Sequence, residues 1–292
     1  MNVETTPGAG PNPGAGLGAV TAAVTLMGVG SVVAKAAEID GPVLGFHRAW
    51  GAALLYGLLL LGTRGRWSLA KLRHAAPGGS IFGLQLVLFF SSVRLTTVAN
   101  ATMLIALQPV VVLLFFSRRF GETVSRLAWA LSVFAIAGVG LVVFGSVDSP
   151  SWSLTGDLLG VGALGSWTLY FVWSKKARDR LGVVEYQAMS LIFSAVVILP
   201  IALLFSGTLD PGEGKWWWIP AMVAIPGTGH LLLNWAHPRM PLGLVSQLTL
   251  LSPVVSVAVA ALLLDGESVN AVQLCGMGVV LVALAALVST RD

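Results

Sequence analysis

The sequence predicts an all-α integral membrane protein of about ten transmembrane helices, arranged as two inverted five-helix repeats around a central cavity. Three observations carry that expectation. The chain is 56% hydrophobic and only 10% charged, with a mean hydropathy of +0.85, whereas soluble chains carry about 25% charged residues. Its apolar runs are about 20 residues long, enough to cross a hydrocarbon core roughly 30 Å thick. Two stretches also look like worn copies of one another, LIALQPVVVLLF around Pro109 and LTLLSPVVSVAV around Pro253. Each is apolar with a central proline, preceded by Gln108 or Ser252, and each leads to an acidic turn, Gly121-Glu122 or Asp265-Gly266-Glu267.

Taken in order, residues 1–16 hold Pro7, Pro11 and Pro13 among glycines and read as a disordered tail. The tail has no Lys or Arg, so it lacks the basic start of a cleavable signal peptide, and the first span is expected to be retained. Spans follow near 17–37, 42–62, 77–95, 97–117 and 124–145, then near 155–175, 184–206, 216–236, 241–263 and 269–289. The polar stretch Ser146–Ser151 divides them. A first repeat is expected over 17–146, a periplasmic link over 147–154 and a second repeat over 155–290. Each half holds an odd number of spans, so duplicate halves must lie upside down relative to each other. Local echoes support duplication, such as Gly30-Ser31 against Gly165-Ser166.

The charges sort by side. Even-numbered connections hold Arg64, Arg66, Lys71, Arg73, Arg118, Arg119, Arg126, Lys175, Lys176, Arg178, Arg180 and Arg239. Odd ones hold only Arg94 and Lys215, together with Glu38, Asp40, Asp148, Asp210, Glu213, Asp265 and Glu267. Lys and Arg mark the cytoplasmic side, which places both termini there. The net charge of +4 reflects this sorting and calls for no nucleic-acid partner. Trp216-Trp217-Trp218 reads as an interfacial anchor, as do Trp67 and Trp152. Cys275 is the single cysteine, which excludes an intrachain disulfide and a Cys-based metal site, and it reads as a small buried hydrophobe.

A resemblance rests on Arg48 early in the second span, the short link Arg94-Leu95-Thr96-Thr97, and Leu107-Gln108-Pro109-Val110 with Glu122. In the second half it rests on Arg239-Met240-Pro241-Leu242-Gly243, Leu251-Ser252-Pro253-Val254 and Glu267. On these residues the chain resembles the drug/metabolite transporter superfamily, specifically its ten-span type with two EamA repeats. Within it the chain is most similar to bacterial inner-membrane exporters of aromatic and other amino acids. One departure is Val98-Ala99-Asn100, which lacks the family's usual proline. The resemblance implies a cavity lined by the first, third, fourth, sixth, eighth and ninth spans. It also implies a bacterial inner-membrane location, a small-molecule substrate and a lipid surround, and it calls for no partner chain beyond a monomer.

Several side chains are candidates for substrate binding in that cavity: Gln85, Asn100, Gln108, Trp167, Tyr170, His230, Asn234, Gln247 and Ser252. Trp167 and Tyr170 are three apart on one helix face and can flank an aromatic solute or pack between helices. The amides can meet a zwitterion or bridge helices. Pro109 and Pro253 are candidate helix breaks, because proline leaves the carbonyls of Ile105 and Thr249 without their helical donors. Lys35 and Arg48 either snorkel to the outer surface or contact an anion. No Asp or Glu falls near the middle of a predicted span, so a buried carboxylate coupling site is not expected. No phosphate loop, nucleophile elbow, zinc-protease motif or cysteine cluster is present, and no metal or cofactor is expected. The leading expectation is export of small metabolites, amino acids among them, by alternating access. The runner-up is a transporter of phosphorylated solutes, which needs Lys35 and Arg48 together in the cavity. A membrane enzyme on lipid-linked substrates is a third reading, and it has no His–carboxylate pair to support it.

Overall fold

The computed structural model describes residues 13–62, 67–108, 110–111, 125–178, 180–236, 248–249 and 251–289. These form ten helices and no strand among the described residues. They are α1 Pro13–Ala36, α2 Gly41–Gly62, α3 Leu69–Leu95, α4 Val98–Ala106, α5 Arg126–Gly145, α6 Leu154–Arg178, α7 Val183–Phe205, α8 Trp218–Ala236, α9 Leu251–Leu263 and α10 Ala271–Ser289. Among the described residues α1, α2, α3, α5 and α7 are each long and apolar enough to cross a membrane, while α8, α9 and α10 are shorter apolar helices. Large side chains such as Leu204, Phe205 and Leu262 are about four-fifths exposed. In a lipid-immersed protein that surface meets acyl chains, so the chain is a multi-pass membrane protein.

Caps set the helix starts. Ser68 Oγ accepts from Lys71 N, Thr97 Oγ1 from Asn100 N and Ser125 Oγ from Ala128 N, each satisfying one of the amides that a helix start leaves without a partner. At α10 the cap is reciprocal, with Gln273 N donating to Asn270 Oδ1 and Asn270 N to Gln273 Oε1, each at 2.9 Å. Two boundaries differ from the sequence expectation. Helix α3 starts at Leu69 rather than near 77, because the Ser68 cap begins it in polar residues that a hydropathy ruler passes over; Pro77 lies inside it. Helix α1 starts at Pro13, within the stretch read as a tail, since a proline suits the first helical position.

The connections gather on two faces. On one, Lys35 Nζ donates to Thr96 O at 2.5 Å, Lys215 Nζ to Glu38 O at 2.7 Å, Ser153 Oγ to Leu95 O at 2.7 Å and Asn270 Nδ2 to Gly145 O at 2.6 Å. These bonds tie together the first, third, fifth, seventh and ninth connections, and this face is termed the outer end. On the opposite face Lys71 pairs with Glu185, and Arg180 Nη1 lies 2.7 Å from His74 Nε2. Helix α1 therefore runs toward the outer end and α6, the first of the second half, runs away from it. The halves are inverted.

Packing repeats the same relation. Helix α3 packs chiefly on α6 and α7, and α1 packs chiefly on α8. Exchanging the halves turns the α3–α6 pair into α8–α1, while α2–α7 and α5–α10 map onto themselves. Small residues allow the close approaches. A Cβ at Gly83 would lie 2.7 Å from the Ser194 carbonyl across α3–α7, and one at Gly276 would lie 2.6 Å from the Gly138 carbonyl across α5–α10. Cys275 is exposed on the outside of α10, not buried. The soluble-protein rule that apolar side chains go inside does not hold where the solvent is lipid.

Candidate functional site

A cavity of about 150 Å³ lies between the halves. Its walls come from α1 (Met27, Gly30, Ser31), α2 (Arg48), α3 (Gln85, Phe89, Phe90), α4 and the residues after it (Thr102, Ile105, Ala106, Gln108), α6 (Trp167, Phe171), α8 (Met222, Pro226, His230), and Thr249 with the start of α9 (Ser252, Pro253). Helices α5, α7 and α10 contribute no lining residue among those described.

One wall is aromatic. Phe82 stacks on Tyr170 with centroids 4.6 Å apart, and Tyr170 stacks on Trp167 at 5.3 Å. His230 meets Phe82 and Trp167 edge-on, at 5.6 and 5.8 Å. The three-residue spacing of Trp167 and Tyr170 puts both rings on one face of α6, and α3 and α8 supply the rings that cover it. Trp167 Nε1 donates to Gln108 Oε1 at 3.1 Å, anchoring the chain just beyond α4. Helix α4 stops at Ala106, and Leu107 N turns back to the Leu104 carbonyl at 3.1 Å. Across the cavity Pro253 sits in the first turn of α9.

Arg48 is 4% exposed, with its guanidinium carbon 5.8 Å from the Phe82 ring centre and 5.6 Å from that of Phe90. Its Nε and Nη1 are buried without a hydrogen-bond partner among the described residues, and so is Gln85 Oε1. Snorkelling, the surface-seeking alternative for Arg48, is thereby corrected. The residue lies about two helical turns below the start of α2, and the packed rings of Phe82 and Phe90 keep its stem inside.

The outer end is closed. Val32, Val98 and Ala260, from α1, α4 and α9, form a small buried cluster. Beside it Lys35 Nζ lies 3.5 Å from Glu267 Oε1, and Glu267 Oε2 accepts from Val98 N at 3.0 Å. Burial pushes the Glu267 carboxyl above its ordinary value, and Lys35 offsets only part of that. Behind the lock lies a second polar knot. Asp157 accepts from Thr96 Oγ1 at 2.7 Å, Asn100 Nδ2 at 2.9 Å and Trp152 Nε1 at 2.8 Å. Ser146 Oγ joins it by donating to Asn100 Oδ1 and accepting from Gln273 Nε2, each at 2.7 Å.

Of the side chains singled out from sequence, Gln85, Gln108, Trp167, His230, Ser252, Pro253 and Arg48 come together around the cavity. Tyr170 stands behind Trp167 in the aromatic stack. Two are placed elsewhere. Asn100 is wholly buried in the Asp157 knot, because Thr97 caps α4 and turns the first helical residues toward α6. Lys35 is committed to Glu267 and the Thr96 carbonyl rather than to the cavity, since α1 ends level with the third connection. Pro109 and Gln247 lie outside the described residues, as does the side chain of Asn234. The sequence reasoning missed Phe82, Phe90 and Pro226. An aromatic in an apolar run carries no local mark of which neighbour it faces, although Pro226 inside a predicted span was a visible signal.

The family model for the EamA-like transporter family matches residues 14–144 and again 154–289. No curated protein gives a match. A solved crystal structure superposes with a TM-score of 0.65 at 18% identity, covering 96% of this chain and 97% of that one, which shows a shared fold. With one repeat matched in each half, facing helices from both halves around one cavity, and alternate connections tied on opposite faces, the chain belongs to the EamA-like transporter family of the drug/metabolite transporter superfamily.

Proposed function

We propose that the protein exports small metabolites, amino acids and aromatic ones among them, across the bacterial inner membrane by alternating access. The observation that carries this reading is the aromatic-walled cavity between the inverted halves, beneath an outer end held shut by separable polar contacts. In this mechanism the repeats at 17–146 and 155–290, joined by the periplasmic link 147–154, rock against each other. Both termini stay in the cytoplasm, and one chain is sufficient. Trp167, backed by Tyr170, and His230 would flank the apolar part of the solute, with Gln85, Gln108 and Ser252 meeting its polar part. Pro109 and Pro253 would keep the fourth and ninth spans interrupted at the cavity, where exposed carbonyls meet solute or water instead of lipid.

Coupling would run without a buried carboxylate. The buried carboxyls Asp157 and Glu267 are occupied in holding the outer end together. The phosphorylated-solute alternative loses its second cation, because Lys35 is engaged with Glu267. The test is efflux and counterflow from liposomes containing purified protein, across a panel of amino acids, sugar phosphates and cationic dyes, with and without a pH gradient. Amino acids moving without the gradient is the expected result. An absolute need for an imposed proton gradient, or movement of dyes alone, overturns the reading.

A further inference from the structure

We propose that Arg48 is the anchor for a carboxylate on the transported solute, and that the cavity selects carboxylates bearing one flat apolar group over cations and phosphate dianions. This rests on the transport reading above and deepens it. The argument begins with a charge that has nowhere to go. A guanidinium is not deprotonated in proteins and presents five donors in a planar fork. Arg48 is 4% exposed, yet its Nε and Nη1 meet no acceptor among the described residues. Phe82 and Phe90, with ring centres 5.8 and 5.6 Å from the guanidinium carbon, give it cation–π contact but no hydrogen bond and no neutralising charge. The Tyr56 hydroxyl donates to the Gly227 carbonyl at 2.9 Å, and its oxygen accepts from neither Arg48 Nε nor Nη1.

The missing counter-charge is not supplied by the wall. No Asp or Glu lines the cavity among the described residues. Water entering the cavity could satisfy a donor without balancing the charge, whereas a carboxylate does both and matches the fork with two parallel bonds. On the same lining Gln85 Oε1 is a buried acceptor without a donor, suited to the ammonium or hydroxyl next to such a carboxylate. The remaining wall is aromatic, and about 150 Å³ is the size of a cavity that accommodates a single benzene ring. One cation suits a monoanionic group. A phosphate dianion would need a second, and Lys35 is held at the outer end.

The experiment compares three probes that share one apolar body: phenylalanine, phenylacetate and phenethylamine. Each is offered in counterflow to the full chain in liposomes. The wild type should move both carboxylates and leave the amine behind. Arg48→Gln should lose at least about tenfold of carboxylate transport, and Arg48→Lys, keeping the charge without the fork, should fall between. Lys35→Gln should keep the same probe preference. Thermal midpoints in detergent show whether each variant is folded, and the wild-type probe series stands even if Arg48→Gln does not fold. If the amine moves as well as the acids, or a folded Arg48→Gln moves carboxylates at the wild-type rate, the anchor is overturned while the transport reading stands. If none of the three moves while sugar phosphates or dyes do, the amino-acid reading falls and the anchor falls with it.

Discussion

At the scale of single residues, Asp157 shows what a carboxylate does when it is buried but not catalytic. It is 6% exposed and takes donors from Thr96, Asn100 and Trp152, which link the third connection, the start of α4 and the fifth connection. Removing one neutral donor leaves the carboxylate partly unmet, so Asn100→Ala is expected to cost about 1–3 kcal/mol of stability. The thermal midpoint in detergent checks this, and an unchanged midpoint would show that the knot is dispensable. Glu267 gives a pH dependence of known sign. Its carboxyl is raised from the ordinary 4.5 by burial, so the folded chain holds that proton more tightly than the unfolded chain. Its contribution is fully present below about 4.5 and is lost as pH rises through the raised value. The wild-type midpoint should therefore fall, relative to Glu267→Gln, as pH climbs through that window. A constant difference between the two would contradict the assignment. The chemistry of these residues was legible in the sequence, but their partners were not. Asn100 looked like a solute contact because a buried amide reads the same whether it faces a ligand or a helix cap.

At the scale of elements, glycines let particular helix pairs approach to backbone contact beside the side-chain core. The α5–α10 seam depends on Gly138 and Gly276, each of whose absent side chains would strike the other's carbonyl, at 2.9 and 2.6 Å. Gly276→Val should push the pair apart at a cost of about 1–3 kcal/mol and lower the folded yield. Gly278 in the same helix has open space around it, so Gly278→Ala is the matched control that should change little. Both changes raise helix propensity, so equal loss in the two variants would mean that the α5 contact is not what is being read. The existence of nearly every helix was legible from apolar run length, because lipid requires each spanning backbone to satisfy itself. The starts were less legible. Caps such as Ser68 lie outside the apolar stretch and carry the helix beyond it.

At the scale of the whole molecule, inverted pairing gives two ends that close by different contacts, and the outer one is visible. Lys35, Glu267 and the Val32–Val98–Ala260 cluster join α1, α4 and α9 across the mouth of the cavity. Both ionic side chains keep some solvent contact, so Lys35→Gln should cost about 1–3 kcal/mol, short of a fully buried pair. Lys35→Gln with Glu267→Gln together should cost less than the sum of the separate changes, as expected for groups in contact. The paired change should also loosen the outer end. A cysteine placed by Val32→Cys, in a Cys275→Ala background, should then react faster with a membrane-impermeant maleimide in intact cells. Unchanged labelling would remove the lock from the gating scheme.

The sequence by itself determined the membrane class, the number of helices, the duplication and the alternate sorting of connections. Each follows from a local quantity, such as apolar length, a repeated proline motif or the position of Lys and Arg, that no distant contact can override in lipid. Only the tertiary structure decided which polar groups meet. Lys35 and Arg48 are two intramembrane cations of similar appearance in the chain, yet one closes on Glu267 and the other keeps Nε and Nη1 without an acceptor among the described residues, beside the cavity. What separates them is where α9 and its following turn arrive in space, and sequence spacing along α1 and α2 does not encode that.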